Sequence, residues 1–286
     1  MSIIFLFGAS GYIGSKVNKK LSSFGLKIKS VGRAATCDFV VDLTNDDLSW
    51  LSSVKSDDKV IFLAAQSSPQ KCSEEYSNSY EINVVGTKRI IKALLEKGAS
   101  VLFASSDVVY GETDNVVDEK SPINPAFEYA EMKAEVESHF LGAKNFYVMR
   151  LSYVWSLEDK FSRYILYDAS KEKIKIYHPF VRPIVWLDDL IQLIKIFCFN
   201  PECIPALINV AGTEFLSRLD LIKVFKRHID LKYEVVKPEP SFFTFRPRQI
   251  LMTSNYFGNV LGQEPTKIKE AIDFEFDEKF ETNSFE

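Results

Sequence analysis

Directly behind the apolar run Ile3-Ile4-Phe5-Leu6-Phe7 the chain passes through Gly8-Ala-Ser-Gly-Tyr-Ile-Gly14 and enters an amphipathic segment marked by Ile13, Val17 and Leu21. A buried strand, a glycine turn and a helix in that order constrain the fold more than any other feature. The arrangement aims backbone N–H groups and the positive end of a helix dipole at an anion. Gly8 permits the tight turn, Gly11 lets a pyrophosphate approach the backbone, and Gly14 lets the helix lie close to the strand. Gly8, Ser10, Gly11, Tyr12, Ile13 and Gly14 therefore form the expected phosphate cradle. The spacing is G-x-x-G-x-x-G rather than G-x-G-x-x-G, and three close glycines also suit a plain strand-to-helix turn. The flanking strand and helix favour dinucleotide binding.

Strand-like and helix-like segments alternate through the first half. Leu26–Val31, Phe39–Val41, Val60–Leu63, Val101–Ala104 and Phe146–Leu151 read as strands. One long helix is expected from Glu74 to Lys97, and another over Glu128–Leu141. Strict alternation implies a Rossmann-type α/β fold: a doubly wound parallel sheet whose ligands sit at the carboxyl ends of the strands. The second half is less regular. Phe161–Ser170 reads as helix and Lys173–Tyr177 as strand, Pro179–Pro183 is expected to break both, and Ile184–Trp186, Leu187–Phe199 and Leu207–Val210 read as core elements returning to the sheet. A Tyr233–Val236 strand, a proline-rich loop and a last helix from about Thr266 follow, with fraying expected after Glu275. The expected organisation is a dinucleotide-binding domain, residues 1–155 plus about 184–212. A smaller, interwoven α/β substrate lobe covers about 156–183 and 213–286.

The ends of the strands carry the chemistry. Tyr129-Ala-Glu-Met-Lys133 places tyrosine and lysine at i and i+4 on one helix face, where an ammonium stabilises a phenolate. Tyr-x-x-x-Lys occurs four times, starting at Tyr12, Tyr129, Tyr167 and Tyr233. Only Tyr129 lies in the helix after the fifth strand, where a nicotinamide belongs. Ser105-Ser106-Asp107 follows that strand, and a hydroxyl there can orient a substrate carbonyl, although Ser and Asp also suit strand-end turns. Asn83 lies inside the long helix, where an amide is either solvent-facing or a functional polar bridge. Ser30-Val31-Gly32-Arg33 ends the second strand without the carboxylate of an NAD reader. A guanidinium suits a 2′-phosphate, favouring NADP(H) over NAD, unless Arg33 is a plain surface arginine. Asp42-Leu43 would flank the adenine.

Composition narrows the partners. Net charge is −4, with 46% hydrophobic and 26% charged residues. That charge gives no support for a nucleic-acid or anionic-membrane surface, and no apolar stretch approaches a membrane span. The first apolar segment has no basic leader and runs straight into the glycine turn, so no signal peptide is expected. Cys37, Cys72, Cys198 and Cys203 are sparse and scattered, as in reduced cytoplasmic thiols. His139, His178 and His228 fit no ligand spacing, so no metal is expected.

Together these pieces resemble the extended short-chain dehydrogenase/reductase superfamily, in its nucleotide-sugar branch of epimerases, dehydratases and reductases. The resemblance runs through Gly8/Gly11/Gly14, Asp42-Leu43, Leu63-Ala64-Ala65, Asn83-Val-Val-Gly-Thr87 and Ser105-Ser-Asp-Val-Val-Tyr-Gly111. It continues through Pro122 and Pro125, Tyr129-x-x-x-Lys133, Arg150-x-Ser-x-Val154, Trp186-Leu-Asp-Asp-Leu190 and Asn209-Val-Ala-Gly212. It implies that Ser106 is the catalytic hydroxyl and Tyr129 the acid/base. Lys133 would bind the nicotinamide ribose and lower the tyrosine pKa, and Asn83 would take a structural or relay role. Ala64 and Ala65 fall at the cofactor. Asp107 is expected at the substrate, and Arg182 and Arg246-Pro-Arg248 fall where the family contacts a nucleotide diphosphate, surface arginines being the alternative. Val108 stands where sugar 4,6-dehydratases carry a glutamate, which argues against dehydration. The pattern is most similar to the dTDP-4-dehydrorhamnose reductase group of 4-keto-sugar reductases. Met132 stands where the family often has serine, and Arg182-Pro-Ile is more epimerase-like.

The expected activity is NAD(P)H-dependent reduction of a nucleotide-linked 4-keto-6-deoxy sugar, in the making of cell-surface polysaccharide sugars. A C4 epimerase with bound NAD and a non-catalytic dinucleotide-sensing regulator are the alternatives. The expected partner is a nucleotide-diphosphate sugar, with neither nucleic acid nor membrane, and a homodimer is held open.

Overall fold

The computed structural model describes residues 2–168 and 173–282. In chain order its elements are β1 (Ile4–Phe7), α1 (Tyr12–Ser23), β2 (Ile28–Gly32), β3 (Phe39–Val40), β4 (Lys59–Phe62), α2 (Pro69–Glu74), α3 (Tyr76–Tyr80), α4 (Thr87–Glu96), β5 (Ser100–Ser106), α5 (Glu128–Phe140) and β6 (Phe146–Leu151). Then come β7 (Val154–Trp155), α6 (Lys160–Asp168), β8 (Ile174–Tyr177), β9 (Val181–Pro183), β10 (Val185–Trp186), α7 (Leu187–Phe199), β11 (Leu207–Val210), β12 (Phe215–Ser217), α8 (Arg218–Phe225), β13 (Tyr233–Val236), α9 (Phe257–Leu261) and α10 (Ile268–Thr282).

Packing divides the chain into two compact units. The first is Met1–Gly111, Pro122–Arg150 and Ile191–Ile208; the second is Glu112–Ser121, Leu151–Leu190 and Asn209–Glu286. The seven-stranded sheet has the order β11-β6-β5-β4-β1-β2-β3. β1 pairs in parallel with β2 on one side and β4 on the other, so the strand order reverses beside β1. That reversal opens the crevice in which such sheets bind ligands. Phe7 lies in register with Val31 and Phe62, which aligns the residues following β1, β2 and β4. β5 continues past Phe103, the register partner of Phe62, and carries Ser105 and Ser106 beyond it.

Alternate and continuous apolar residues on these strands build the first core, including Phe5, Phe7, Val60, Phe62, Val101, Phe103 and Phe146. Phe7 and Phe62 stack with centroids 4.7 Å apart. Burying each such side chain contributes about 1.5–3 kcal/mol, which anchors the strand ends that present the site.

The helix expected over Glu74–Lys97 is found over Tyr76–Glu96, with a π-helical insertion within it. Glu75, at φ −118° and ψ 48°, separates α2 from α3, and a π-helical turn over Glu81–Gly86 separates α3 from α4. Apolar periodicity reports the buried face but not the extra residue that a π turn inserts.

The second unit is built around Trp155, Ile165, Ile176, Ile184, Leu221, Phe225, Ile272 and Phe276. Its strands pair two by two: β7 with β10, β8 with β13, and β9 with β12. Pro179–Pro183 therefore does more than break the chain, because Val181–Pro183 pairs antiparallel with Phe215–Ser217. Likewise Val185–Trp186 does not return to the large sheet but pairs with Val154–Trp155. Residues 112–121 belong to this unit through a ladder in which Val117 N donates to Leu251 O (2.9 Å) and Thr253 N to Val117 O (2.8 Å).

α10 stays helical through Thr282 where fraying was expected. The last residues of the expected Phe161–Ser170 helix, and the tail 283–286, lie outside the described residues. Among the described residues no helix is long and apolar enough to cross a membrane.

Candidate active site

The glycine turn is shaped as a cradle. Gly8 sits at φ +80°, and a Cβ there would lie 2.9 Å from Ala64 N. A Cβ on Gly14 would lie 2.1 Å from Gly8 O, so α1 approaches β1 as closely as backbone allows. Gly11 is the N-cap of α1; no side chain caps the helix and its first turn holds no carboxylate. Ser10 is exposed at the rim, and Tyr12 and Ile13 are half-buried. An uncapped helix N-terminus behind a side-chain-free turn fits the pyrophosphate of a dinucleotide.

The flanking loops are fixed by named bonds. Asp42 is exposed, and its carboxylate accepts from Thr44 N and Thr44 Oγ1 at 2.9 Å each. The Thr44 backbone N–H holds that carboxyl below the usual range, and the Arg33 guanidinium adds to the effect. Arg33 itself is exposed just past β2. The buried Leu43 offers its carbonyl to Arg89 Nη2 at 2.7 Å. Ala64 and Ala65 are half-buried just past β4.

Asn83 lies in the π turn and is 3% exposed, so the solvent-facing alternative falls away. Its Oδ1 accepts from Gln66 N (2.8 Å) and its Nδ2 donates to Gln66 O (3.0 Å), clamping the loop after Ala65. The same amide meets Met132 Sδ at 3.5 Å and Cys72 Sγ at 3.6 Å. Tyr129 packs against this Cys72/Val84/Met132 cluster. Met132, in the place of the more usual serine, is thus an apolar wall behind the tyrosine.

Lys133 is buried one helical turn further along α5. Its Nζ donates to Ala104 O at 2.7 Å and lies 4.6 Å from the Phe103 ring centroid and 5.8 Å from that of Tyr129. Burial pushes the ammonium down to about 8, against the opposing pull of Glu137 and Cys72. Burial also pushes the Tyr129 phenol upward, and Cys72 and Asp107 add to it. The resemblance implied the reverse. With Nζ held on the Ala104 carbonyl, desolvation outweighs any help from the ammonium. Ser106 Oγ donates to Asp107 Oδ1 at 3.1 Å and accepts from Val108 N at 3.4 Å. Asp107 is buried at the start of the 3₁₀ turn Asp107–Tyr110.

Behind these groups lies a network that the sequence did not reveal. Arg150 Nη2 and Nε donate to Glu137 Oε2 at 2.6 and 3.0 Å, and Arg150 Nη1 donates to Tyr110 Oη at 2.7 Å. Glu137 belongs to α5, one turn beyond Lys133, and Tyr110 ends the turn that begins beside Ser106. The network therefore ties α5, through β6, to the Ser106 turn. Glu137 sits at i+8 from Tyr129, an available signal; its pairing with Arg150 was not.

The three arginines expected at the substrate all belong to the second unit. Arg182 is buried against backbone carbonyls, Arg246 lies 5.1 Å over the Phe242 ring, and Arg248 is exposed beside Glu112. Arg218, also in this unit, was not singled out from the sequence. A cation in the first turn of a helix opposes the dipole and was the available signal. Among the described residues no group of three His, Cys, Asp or Glu side chains is placed to hold a metal ion.

A parallel sheet reversing its strand order beside a glycine turn and an uncapped helix defines a Rossmann-type fold. The chain belongs to the NAD-dependent epimerase/dehydratase family, whose model matches residues 4–207. It is 30% identical over 149 residues to a UDP-glucose 4-epimerase of Halalkalibacterium halodurans, covering 48% of this chain and 45% of that protein. It is 28% identical over 158 residues to a dTDP-4-dehydrorhamnose reductase of Mycolicibacterium smegmatis, covering 53% and 46%. The chain thus matches somewhat under half the length of these relatives. A solved dTDP-4-dehydrorhamnose reductase of Bacillus anthracis in complex with NADP superposes with a TM-score of 0.82 at 18% identity, over 97% of this chain and 99% of that one. At that identity the likeness is one of fold.

Proposed function

We propose that this chain is an NADPH-dependent reductase of a nucleotide-linked 4-keto-6-deoxy sugar, serving the making of cell-surface polysaccharide sugars. The observation that carries the reading is Arg33, exposed just past β2 where an NAD reader keeps a carboxylate. A cofactor carrying a 2′-phosphate suits net reduction rather than a closed cycle of oxidation and re-reduction. Gly8, Gly11, Gly14 and the start of α1 would hold its pyrophosphate, with Asp42, Leu43, Ala64 and Ala65 along the adenosine half. The nicotinamide supplies hydride when bound.

The remaining work falls to side chains. Tyr129 keeps its proton well above neutral pH, so its phenol serves as the acid that protonates the sugar oxygen. Ser106 turns its hydroxyl from Asp107 to that oxygen and holds the carbonyl in line. Lys133 meets the nicotinamide ribose, and Asn83 fixes the loop on which the cofactor rests. The absence of a second carboxylate after Asp107 leaves no base for dehydration.

A second reading, C4 epimerisation with retained NAD, is favoured by the 30% identity to a UDP-glucose 4-epimerase. A panel of 4-keto nucleotide sugars with NADPH and with NADH, followed by loss of nicotinamide absorbance, separates the two. Stoichiometric NADPH oxidation supports the reductase. Copurifying NAD with no net turnover supports the epimerase, and no oxidation with any member sinks the reductase. Tyr129→Phe is expected to lower turnover about 10²–10⁴-fold while dinucleotide binding persists.

A further inference from the structure

The helical segment from Tyr76 to Glu96 holds two loops of the first unit, each by side-chain bonds to backbone. Asn83, in the π turn, clamps Gln66 after β4. Arg89, further along in α4, clamps the loop after β3. Its Nη2 donates to Leu43 O and to Asn45 O at 2.7 Å each, and its Nη1 pairs with Asp46 at 2.8 Å. Glu81 stands 4.0 Å from the same Nη1, while Nε is buried without an acceptor. Between the two clamps the backbones touch: a Cβ on Gly86 would lie 1.8 Å from Leu43 O. The loop is also tied from within, because Asn45 N donates to Asp42 O and the Asp42 carboxylate accepts from Thr44.

The ion pair does little of this work. Asp46 is 88% exposed, and a solvated pair contributes at most about 1 kcal/mol. What fixes the loop is the guanidinium fork on two carbonyls, which the point charge of a lysine does not reproduce. The buried Leu43 side chain already anchors one end in the core, so the added bonds serve the exposed stretch beside it. We infer that Arg89 is a positioning residue for the adenosine half of the dinucleotide, acting through the Leu43 and Asn45 carbonyls rather than by touching the cofactor. The inference rests on the dinucleotide reading above. With its carbonyls bonded, the loop is ordered before the cofactor arrives, and binding does not bear the cost of ordering it.

The test measures binding of NADPH, NADH and ADP-ribose by calorimetry well below the melting temperature, together with thermal melting. Cofactor KM and kcat are followed on the 4-keto nucleotide sugar chosen by the substrate panel. The proteins are wild type, Arg89→Met, Arg89→Lys and Asp46→Asn. Arg89→Met should weaken all three ligands by a common factor of roughly ten. It should raise the cofactor KM to match and hold kcat at saturating cofactor. Arg89→Lys, which keeps the charge but not the fork, should fall between, and it carries the test if Arg89→Met does not fold. Asp46→Asn keeps both carbonyl bonds and should bind as the wild type does. A lower melting temperature with unchanged affinity overturns the inference, because Arg89 then serves stability alone. So does a loss confined to NADPH, which would assign Arg89 to the 2′-phosphate, or a fall in kcat at saturating cofactor. A wild type that binds neither NADPH nor NADH overturns the dinucleotide reading itself.

Discussion

Lys133 and Arg150, buried in the first unit, and the half-buried Arg218 of the second are held by opposite means. In the first, Lys133 is bonded to the Ala104 carbonyl, and Arg150 divides its donors between Glu137 and Tyr110. In the second, Arg218 rests on two phenylalanine rings and keeps a buried Nε without an acceptor. A bonded cation rigidifies what surrounds it, as suits elements that must hold a tyrosine and a serine in register. A buried donor without an acceptor costs stability. Arg218→Met, which removes such a donor, should therefore leave stability at or above the wild-type level, whereas loss of Arg150 should lower it.

The largest such effect is expected at Arg150. Arg150→Met strands the Glu137 carboxylate, which is buried along with its partner, and removal of one member of a buried pair typically costs about 3–5 kcal/mol. Urea unfolding should show that loss. The double variant Glu137→Met/Arg150→Met should recover most of it, since two apolar side chains leave no stranded charge. A loss under about 1 kcal/mol in the single variant would erase the contrast with Arg218→Met.

The contrast also explains what the sequence disclosed. In the first unit, strand, turn and helix follow one another within the reach of local rules. The glycine turn from Gly8 to Gly14, the strand ends before Arg33 and at Ser106, and the helix that carries Tyr129 and Lys133 were therefore all legible as structure. Pairs distant in sequence were not: Glu137 with Arg150, Asn83 with Gln66, and Val117 with Leu251. In the second unit strands of two to four residues pair across long separations, so Val181–Pro183 looked like a break until Phe215–Ser217 lay beside it. Arg182 and Arg218 look alike as letters. Both lie over the Phe180 ring, and only the carbonyls bonded to Arg182 separate them.

A smaller effect, with a pH signature, is expected at Lys133. Its ammonium is pushed down to about 8 in the folded chain, against about 10.4 when unfolded. Below pH 8 both states carry the proton, and the folded state bears the full cost of the buried charge. Between those values the unfolded chain holds more protons, so this group's contribution to stability rises with pH. Lys133→Met should therefore be more stable than wild type at pH 7 by up to about 3 kcal/mol, and the advantage should fade by about pH 10.5. It should also lose dinucleotide affinity, a trade of stability for function. Tyr129, Cys72 and Cys198 are all pushed up by burial. They lower stability at alkaline pH in both proteins, so the difference between the two is the quantity to follow. A difference that does not change from pH 7 to 10.5 would show that Lys133 carries no such cost.

The smallest effect on stability is expected at Arg248, whose position lies between the two cases. Its Nη1 pairs with Glu112 at 3.2 Å, with the side chains 50% and 42% exposed, and its backbone N–H donates separately to Glu112 Oε2 at 2.7 Å. Arg248→Ala keeps the backbone bond and loses only a solvated pair, so unfolding should change by about 1 kcal/mol or less, and less still at high salt. A role at the phosphates would appear elsewhere, as weaker nucleoside diphosphate binding that shrinks with added salt. If neither stability nor affinity moves, Arg248 is a surface arginine. If affinity falls while stability holds, a carboxylate partner does not disqualify an arginine from the diphosphate, and the line drawn between bonded and unbonded cations must be redrawn.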